Sequence, residues 1–324
     1  MKNKLLLFLT LSLGILLGFS GSALLKHLSN NKESSKSPQD YNYLTNPLLE
    51  CDKFEQSNIR LGLVKFKIEK YIDGKIKDGS VNTISVYIRD LNNGSWVGIN
   101  EKEEFAPASL LKVPIMIAFL KMAEKEPGLL NKKIRYANGQ NLKDLTAEIP
   151  PNKTIEPGNA YSVNELIENM IVYSDNTSKN LLLLNIDEED LNQVYVDLSL
   201  QVPGIRTPQD FMSVKDYASF FRILYNASYL NREMSERALE LLIKADFQDG
   251  LVAGVPKNIK ITHKFGERET SSGEKQLHDC GIVYYPKSPY VIIVMTKGKD
   301  LSILKGIISD ISRITYEHKV EIEF

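Results

Sequence analysis

The run TISVYIRDLNNGSWVGINE, Thr83 to Glu101, decides the fold. Apolar and polar residues alternate on both sides of Asn93-Gly94, a pair suited to the positive-φ positions of a tight turn, so the run predicts a β-hairpin. Upstream, Ile59 to Asp73 carries Leu61, Val64, Ile68 and Ile72 at helical spacing. Downstream, Ser109 to Leu242 is helical in periodicity, punctuated by Pro, Gly and Asn, with no comparable strand pattern. Three strand-like runs follow, IKITHKFGE (259–267), HDCGIVYYP (278–286) and YVIIVMTKG (290–298), and LSILKGIISDISRITYEH (301–318) closes the chain as an amphipathic helix. The order is helix, two strands, many helices, three strands, helix. One five-stranded antiparallel sheet must then be assembled from both chain ends, flanked by helices and interrupted by an all-helical insertion. That is an α+β fold, an α/β sandwich rather than a doubly wound parallel sheet. The first and last helices are expected to cover one sheet face.

Composition narrows the function. The chain has 324 residues, with 40 Lys and Arg against 41 Asp and Glu, a net charge of −1. A nucleic-acid binder working through counterion release needs a basic face, so no nucleic-acid partner is expected. Hydrophobic residues at 43% and charged residues at 25% are globular values. Cys51 and Cys280 are too few for a disulfide scaffold or a cysteine-built zinc site, and leave one optional bridge. After Lys2 and Lys4, the stretch from Leu5 to Leu25 is uncharged. As a helix it would be about 31 Å long at 1.5 Å per residue, enough to span a bilayer. Residues 1–25 are read as a signal-anchor, the alternative being a signal peptide cleaved near Gly21-Ser-Ala23. Both readings take the domain out of the cytoplasm. Residues 26–57 read as a polar linker, whose later part, NPLLECDKF (46–54), is apolar enough to dock on the domain at 58–324.

Three short segments carry candidate chemistry. Ser-x-x-Lys occurs four times, at Ser29, Ser109, Ser272 and Ser302, and context selects Ser109-Leu-Leu-Lys112, which opens the apolar run VPIMIAFLKMA. At i and i+3 the two side chains share a helical face, and a desolvated lysine can shed its proton and take one from the serine. The plainer reading is a helix cap beside an exposed lysine. Pro114 should deny the Leu110 carbonyl its helical partner and kink the first turn. The second segment, Ser174-Asp175-Asn176, is either a turn entering a helix or a wall of the site. In the second case Ser174 relays the proton to a leaving nitrogen, Asn176 holds a substrate carbonyl and Asp175 braces the turn. The third is Lys264-Phe265-Gly266 on a strand. Glycine there permits close approach of another backbone, such as a peptide-like substrate, with Lys264 attracting a carboxylate. An ordinary strand with a bulge is the alternative.

In this order the three segments resemble the class A β-lactamase family, within the serine β-lactamase and penicillin-binding protein superfamily, from about Ile59 to the C-terminus. The resemblance implies that Ser109 is the acylated nucleophile and Lys112 its activating base. Ser174 and Asn176 would form the second wall, Lys264 and Gly266 the third, and the N–H groups of Ser109 and Glu267 the oxyanion hole. Its implied partner is a β-lactam or a peptidoglycan stem peptide.

The chain departs from the family in two places. The family's deacylating glutamate lies in a Glu-x-x-Leu-Asn pattern on an Ω-shaped loop. Here Glu188-Glu-Asp-Leu-Asn192 has the spelling but follows directly on a helix, as helix-start acids do. The expected loop position, Gln201 to Arg206, has no carboxylate, so that glutamate is read as missing, with Asp210 and Glu188 the nearby substitutes. Phe265 replaces the family's hydroxyl residue, and Glu267 brings a negative charge that Arg268 would offset. The expectation is an acyl-enzyme hydrolase acting on β-lactam or related amide bonds with turnover in doubt. The alternatives are a D-alanyl-D-alanine peptidase and a non-turnover binding or sensor domain. No cofactor or metal is expected, since consecutive strand residues His278, Asp279 and Cys280 cannot converge on one ion. His263 is expected to line the site rim, and the protein to be a monomer.

Overall fold

The hairpin forms from β1 (Thr83–Asp90) and β2 (Trp96–Ile99), antiparallel, with Arg89 opposite Trp96. Its turn closes at Gly94, where φ is +75°, a conformation glycine adopts without the Cβ penalty. The Asp90 side chain accepts the N–H groups of Asn92 and Asn93 at 2.9 and 3.2 Å, which orders the reversal. The computed structural model describes residues 44–45, 57–142 and 147–323.

The three remaining sheet strands are β3 (Ile261–Glu269), β4 (Lys275–Val283) and β5 (Tyr290–Gly298). The sheet order is β2-β1-β5-β4-β3 with antiparallel neighbours, so the N-terminal hairpin joins the last strand and β3 lies at an edge. β3 and β4 run two and three residues nearer each other than their sequence pattern suggests. Glu269 pairs with Lys275, and the intervening turn is closed by Thr270 N–H to the Glu274 carbonyl at 2.8 Å.

α1 (Ser57–Lys77) and α8 (Leu301–Glu323) both exceed the expected helices at their C-terminal ends. The stripe Leu61, Val64, Ile68 and Ile72 is buried, with Leu304, Ile307, Ile308 and Ile311, against Ile84, Val86 and Ile88 of β1. Each such side chain stabilises the layer by about 1.5–3 kcal/mol relative to exposure. The opposite sheet face, with Tyr87, Cys280, Ile282, Ile293 and Met295, packs on the helical insertion. The sheet is thus covered on both faces, which explains why its inner strands read as near-continuous apolar runs.

The insertion comprises α2 (Lys112–Lys125), α3 (Val163–Val172), α4 (Asn176–Leu183), α5 (Glu188–Asp197), α6 (Val214–Tyr225) and α7 (Arg232–Leu242). Periodicity also missed two short ladders, Glu104–Phe105 ahead of the insertion with Met212–Ser213 inside it, and Lys133–Arg135 with Ala160–Ser162. Two or three residues are too few to display alternation.

Leu5–Leu25, Cys51 and the segment 46–54 lie outside the described residues. Among the described residues no helix is long and apolar enough to cross a membrane. Cys280 is a free, fully buried thiol. The linker contacts the domain upstream of the expected segment. The N–H groups of Leu44 and Thr45 donate to the Glu236 carboxylate, and Tyr284 Oη donates to the Leu44 carbonyl at 2.8 Å.

Candidate active site

Ser109 sits in a 3₁₀ turn, Ala108–Leu111, and α2 begins only at Lys112. The i and i+3 side chains of a 3₁₀ turn eclipse one another, and Lys112 Nζ lies 2.9 Å from Ser109 Oγ. The expected kink at Pro114 does not arise, because Pro114 falls in the first turn of α2, where its missing N–H would have no helical partner. Tyr217 Oη instead donates to the Leu110 carbonyl at 3.0 Å from within the core.

Ser174 reaches the same point from the α3–α4 connection. It holds φ at +57°, a left-handed backbone uncommon outside glycine. Asp175 keeps it there as the N-cap of α4, accepting from Thr177 N–H at 3.1 Å and Ser178 N–H at 2.9 Å. The Ser178 and Thr154 hydroxyls donate to the same carboxylate at 2.5 and 2.7 Å. Lys112 Nζ lies 2.7 Å from the Ser174 carbonyl and 3.0 Å from Ser174 Oγ.

Lys264 of β3 also points at Ser174 Oγ, 2.9 Å away, and donates to the Phe265 carbonyl at 3.0 Å. It is fully buried behind the cleft wall and tied to a hydroxyl, not displayed for a carboxylate as expected from sequence. Burial pushes its pKa down to about 7, a shift that Asp279 partly opposes. Two amines thus converge on one hydroxyl, Lys112 Nζ at 3.0 Å and Lys264 Nζ at 2.9 Å from Ser174 Oγ. Asp279 stands behind Lys264, and its carboxylate meets His263 Nδ1 at 2.8 Å and accepts from Leu251 N–H at 2.8 Å. His263 therefore does not line the rim. Strand alternation turns it away from Lys264, and it is 1% exposed.

Gly266 lies where an added Cβ would stand 2.8 Å from the Pro107 carbonyl and 3.1 Å from the Leu110 nitrogen. The backbone that approaches it closely is the chain's own, at the Ala108–Leu111 turn. Phe265 packs flat on Phe247, centroids 4.3 Å apart, with Lys264 Nζ 4.3 Å from its ring centre. Glu267 does not pair with Arg268. Its carboxylate accepts the N–H groups of Glu148 and Ile149 at 3.0 and 3.4 Å, and its pKa is raised, chiefly by burial.

These elements surround a cleft of about 490 Å³ whose wall includes Ser109, Lys112, Ser174, Asn176, Phe265 and Glu267. Sequence reading missed Lys179, three residues past Asn176 and so on the same face of α4, where helical spacing would have flagged it. It also missed Ala147 and Ile149, which arrive by a long-range contact with no local signal. Glu188 is exposed at the start of α5, and Asp210 is engaged by Lys297 at 3.0 Å and Gln276 at 3.0 Å. Neither lines the cleft. His278 is buried with its pKa pushed down to about 4, and donates from Nε2 to the Ala106 carbonyl at 3.0 Å. Among the described residues no group of three His, Cys, Asp or Glu side chains is arranged to hold a metal ion.

The Ser109–Lys112 turn at the edge of an antiparallel sheet, faced by the Ser174 loop from a helical insertion, is the arrangement of a serine β-lactamase or penicillin-binding protein fold. Solved structures agree. The chain aligns with PBP-A at a TM-score of 0.66 and 24% identity, over 79% of this chain and 96% of that one. It aligns with the extended-spectrum β-lactamase TLA-1 at 0.70 and 17%, over 80% and 99%. A PBP-A variant that matches at 0.66 and 23% identity, over 81% and 97% of the two chains, is an acyl-enzyme complex with penicillin G. A β-lactamase of Proteus vulgaris is 27% identical over 70% of this chain and 83% of its own, and one of Bacillus amyloliquefaciens 25% over 78% and 81%. The profile of the β-lactamase enzyme family matches residues 67–319, and the chain belongs to that family.

Proposed function

We propose that the protein is an exported serine hydrolase whose Ser109 is acylated by β-lactam or related amide carbonyls and whose acyl-enzyme is released slowly. The observation that carries this reading is the position of Lys112 Nζ, within 2.9 Å of Ser109 Oγ and 3.0 Å of Ser174 Oγ. A neutral amine has two N–H donors and one lone pair. Donation to the Ser174 carbonyl and hydroxyl leaves the lone pair for the Ser109 proton.

Acylation then runs as follows. Ser109 Oγ attacks the carbonyl carbon as its proton passes to Lys112, and the oxyanion is received by the N–H groups of Ser109 and Glu267, typically worth a few kcal/mol per donor. Collapse breaks the C–N bond. The leaving nitrogen takes the Ser174 proton, which Lys112 replaces. Lys264, its pKa pushed down to about 7 by burial, orients the Ser174 oxygen. Asn176, in the cleft wall, supports the substrate's amide carbonyl.

Slow release is supported by the position of the acids. Among the described residues the cleft's carboxylates are Glu267 and Glu269, both on β3, and Glu267 is already occupied by two backbone donors. A general base must reach its water. This favours a second reading, a D-alanyl-D-alanine peptidase that β-lactams inhibit. Export is supported by the uncharged run Leu5–Leu25 after Lys2 and Lys4, and monomeric behaviour is part of the same proposal.

The test is to mix the chain with a chromogenic cephalosporin and follow colour and intact mass together. A persistent adduct on Ser109, absent in Ser109→Ala, is the expected result. Sustained colour without accumulating adduct would overturn slow release, and neither signal would overturn acylation through Ser109.

A further inference from the structure

At the sheet edge opposite the candidate active site, α6 packs across β1, and a row of cations lies between that helix and β2. Lys215 and Arg222 are seven positions apart and share one face of α6, about 10 Å from end to end at 1.5 Å per residue. Facing them, Arg89 of β1 stands opposite Trp96 of β2, and the two side chains rise on the same side of the sheet. The Arg89 guanidinium lies against Gly94 of the hairpin turn, and Lys215 Nζ stands 4.8 Å from the centre of the Trp96 ring. Trp96 is exposed, and its ring stacks on Tyr87 with centroids 5.4 Å apart.

These charges are not balanced from within the fold. Arg89 and Arg222 are half-buried, and neither makes a hydrogen bond or ion pair among the described residues. Burial lowers the Arg222 pKa, and the Arg89 charge lowers it further. The neighbouring acids are engaged or out of reach. Asp90 points to the other sheet face, where Lys319 and Ser288 hold it at 2.7 and 2.9 Å, and Asp216 is bonded to its cap Ser213 at 2.7 Å. Glu101 folds over Gly98, beyond ion-pair distance of all three cations. Two guanidiniums held near each other at a partly dehydrated place repel, and an anion between them would relieve that cost.

We propose that this groove binds a phosphodiester-linked polyol chain, with one phosphate bridging Arg89 and Arg222 and another reaching Lys215. A tetrahedral phosphate presents oxygens to two guanidinium forks at once, whereas a planar carboxylate is matched by one. Cations spread over about 10 Å suit charges repeated along a strand better than a single ion. Nucleic acid suits the groove less well, because Tyr87 and Lys215 already cover the ring on which a base would stack. The site lies at the far edge of the sheet from Ser109, and the inference does not depend on the proposed acyl transfer.

Trp96 is the chain's single tryptophan, so its fluorescence reports this groove directly. The full chain is titrated with an oligo(glycerol phosphate), with inorganic phosphate, and with an oligothymidylate of equal phosphate number. The same titrations are run on Arg89→Gln and Arg222→Gln. A saturable change in Trp96 emission is expected with the glycerol phosphate oligomer, weakening as salt rises. Its dissociation constant should increase by about tenfold or more in either variant, equivalent to about 1.4 kcal/mol. Each variant removes an unpaired charge, so without ligand it should melt no lower than the natural chain. Emission that no probe changes, or affinities in both variants within twofold of the natural chain's, overturn the groove. Lower melting temperatures in both variants would show that the guanidiniums are partnered within the fold, and overturn it as well. Inorganic phosphate binding as tightly per phosphate overturns the polymer, and oligothymidylate binding as tightly as the glycerol phosphate oligomer overturns the polyol.

Discussion

Two sides of the cleft are built to different standards. On one, Ser109, Lys112, Ser174 and Lys264 are linked by contacts of 2.7 to 3.0 Å, and Asp175 anchors the turn with four more. On the other, toward the neighbouring cavity that Pro203, Gly204 and Thr207 line, the loop from Gln201 to Thr207 contributes no carboxylate, Asp210 is paired with Lys297, and Glu188 is exposed outside the cleft. The difference teaches that bond-making and bond-clearing are separable demands. Activating a serine needs groups within direct reach of its proton. Clearing the acyl group needs a base within reach of a water, and so a different carboxylate at a different place.

The comparison is tested hardest at Lys112. In Lys112→Met the amine 2.9 Å from Ser109 Oγ is gone and the thioether leaves the Ser174 carbonyl without its donor. Adduct formation should slow by about 10²–10⁴-fold, the usual worth of general base catalysis. Stopped-flow or quenched mass measurements check it. A loss under about threefold would mean that another group activates Ser109.

Gly266→Ala probes how the two halves of the fold are brought into register. A Cβ 2.8 Å from the Pro107 carbonyl must push the nucleophile turn off the edge strand. A shift near 1 Å in catalytic geometry can cost on the order of 10²-fold, so adduct formation should drop by about 10–100-fold. An unchanged rate would mean that the turn yields without moving Ser109.

Lys264 gives a pH signature of the well-built side. Its folded pKa of about 7 lies below the ordinary lysine value of 10.5. Between those values the unfolded chain binds the extra proton and the folded chain does not, so unfolding free energy rises with pH across this window. The slope approaches about 1.4 kcal/mol per pH unit near the middle. Lys264→Met removes this contribution. The stability of the natural chain relative to the variant should climb between pH 7.5 and 10 and level off below about pH 7, as read by denaturant titration. A difference independent of pH would mean that Lys264 stays charged in its burial site.

How much of this was legible beforehand depended on range. The hairpin at Asn93-Gly94, the stripe Leu61, Val64, Ile68 and Ile72, and the apolar C-terminal strands announce the sheet and its covering helices, because these signals repeat within a few residues. Ser109 and Lys112 were readable as neighbours for the same reason. The contacts that remained hidden are long-range. Nothing local links Glu267 to the N–H groups of Glu148 and Ile149, His263 to Asp279, or Tyr217 to the Leu110 carbonyl. The hydroxyl of Tyr217 explains why Pro114 is tolerated beside the nucleophile, and it comes from a helix more than 100 positions away. Arg268 and Glu267 are adjacent in sequence yet unpaired, since a strand points consecutive side chains apart.

The smallest expected effect falls on the poorly equipped side. Glu188 has the spelling of a deacylating glutamate, followed by Asp-Leu-Asn192 after one intervening residue, yet it occupies the first turn of α5 with Glu189 and Asp190. There its charge faces the positive end of the helix dipole, a contact worth a few tenths of a kcal/mol at an exposed position. Its nearest recorded partner is Asn192, at 3.5 Å. Glu188→Gln should therefore change the lifetime of the Ser109 adduct by less than about twofold, because a base outside the cleft cannot deliver a proton relay into it. The decay of the penicillin adduct, followed by intact mass over hours, makes the measurement. A tenfold longer lifetime in the variant would show that α5 reaches the acyl group in the acylated state, and the contrast between the two sides of the cleft would then be a property of the free protein alone.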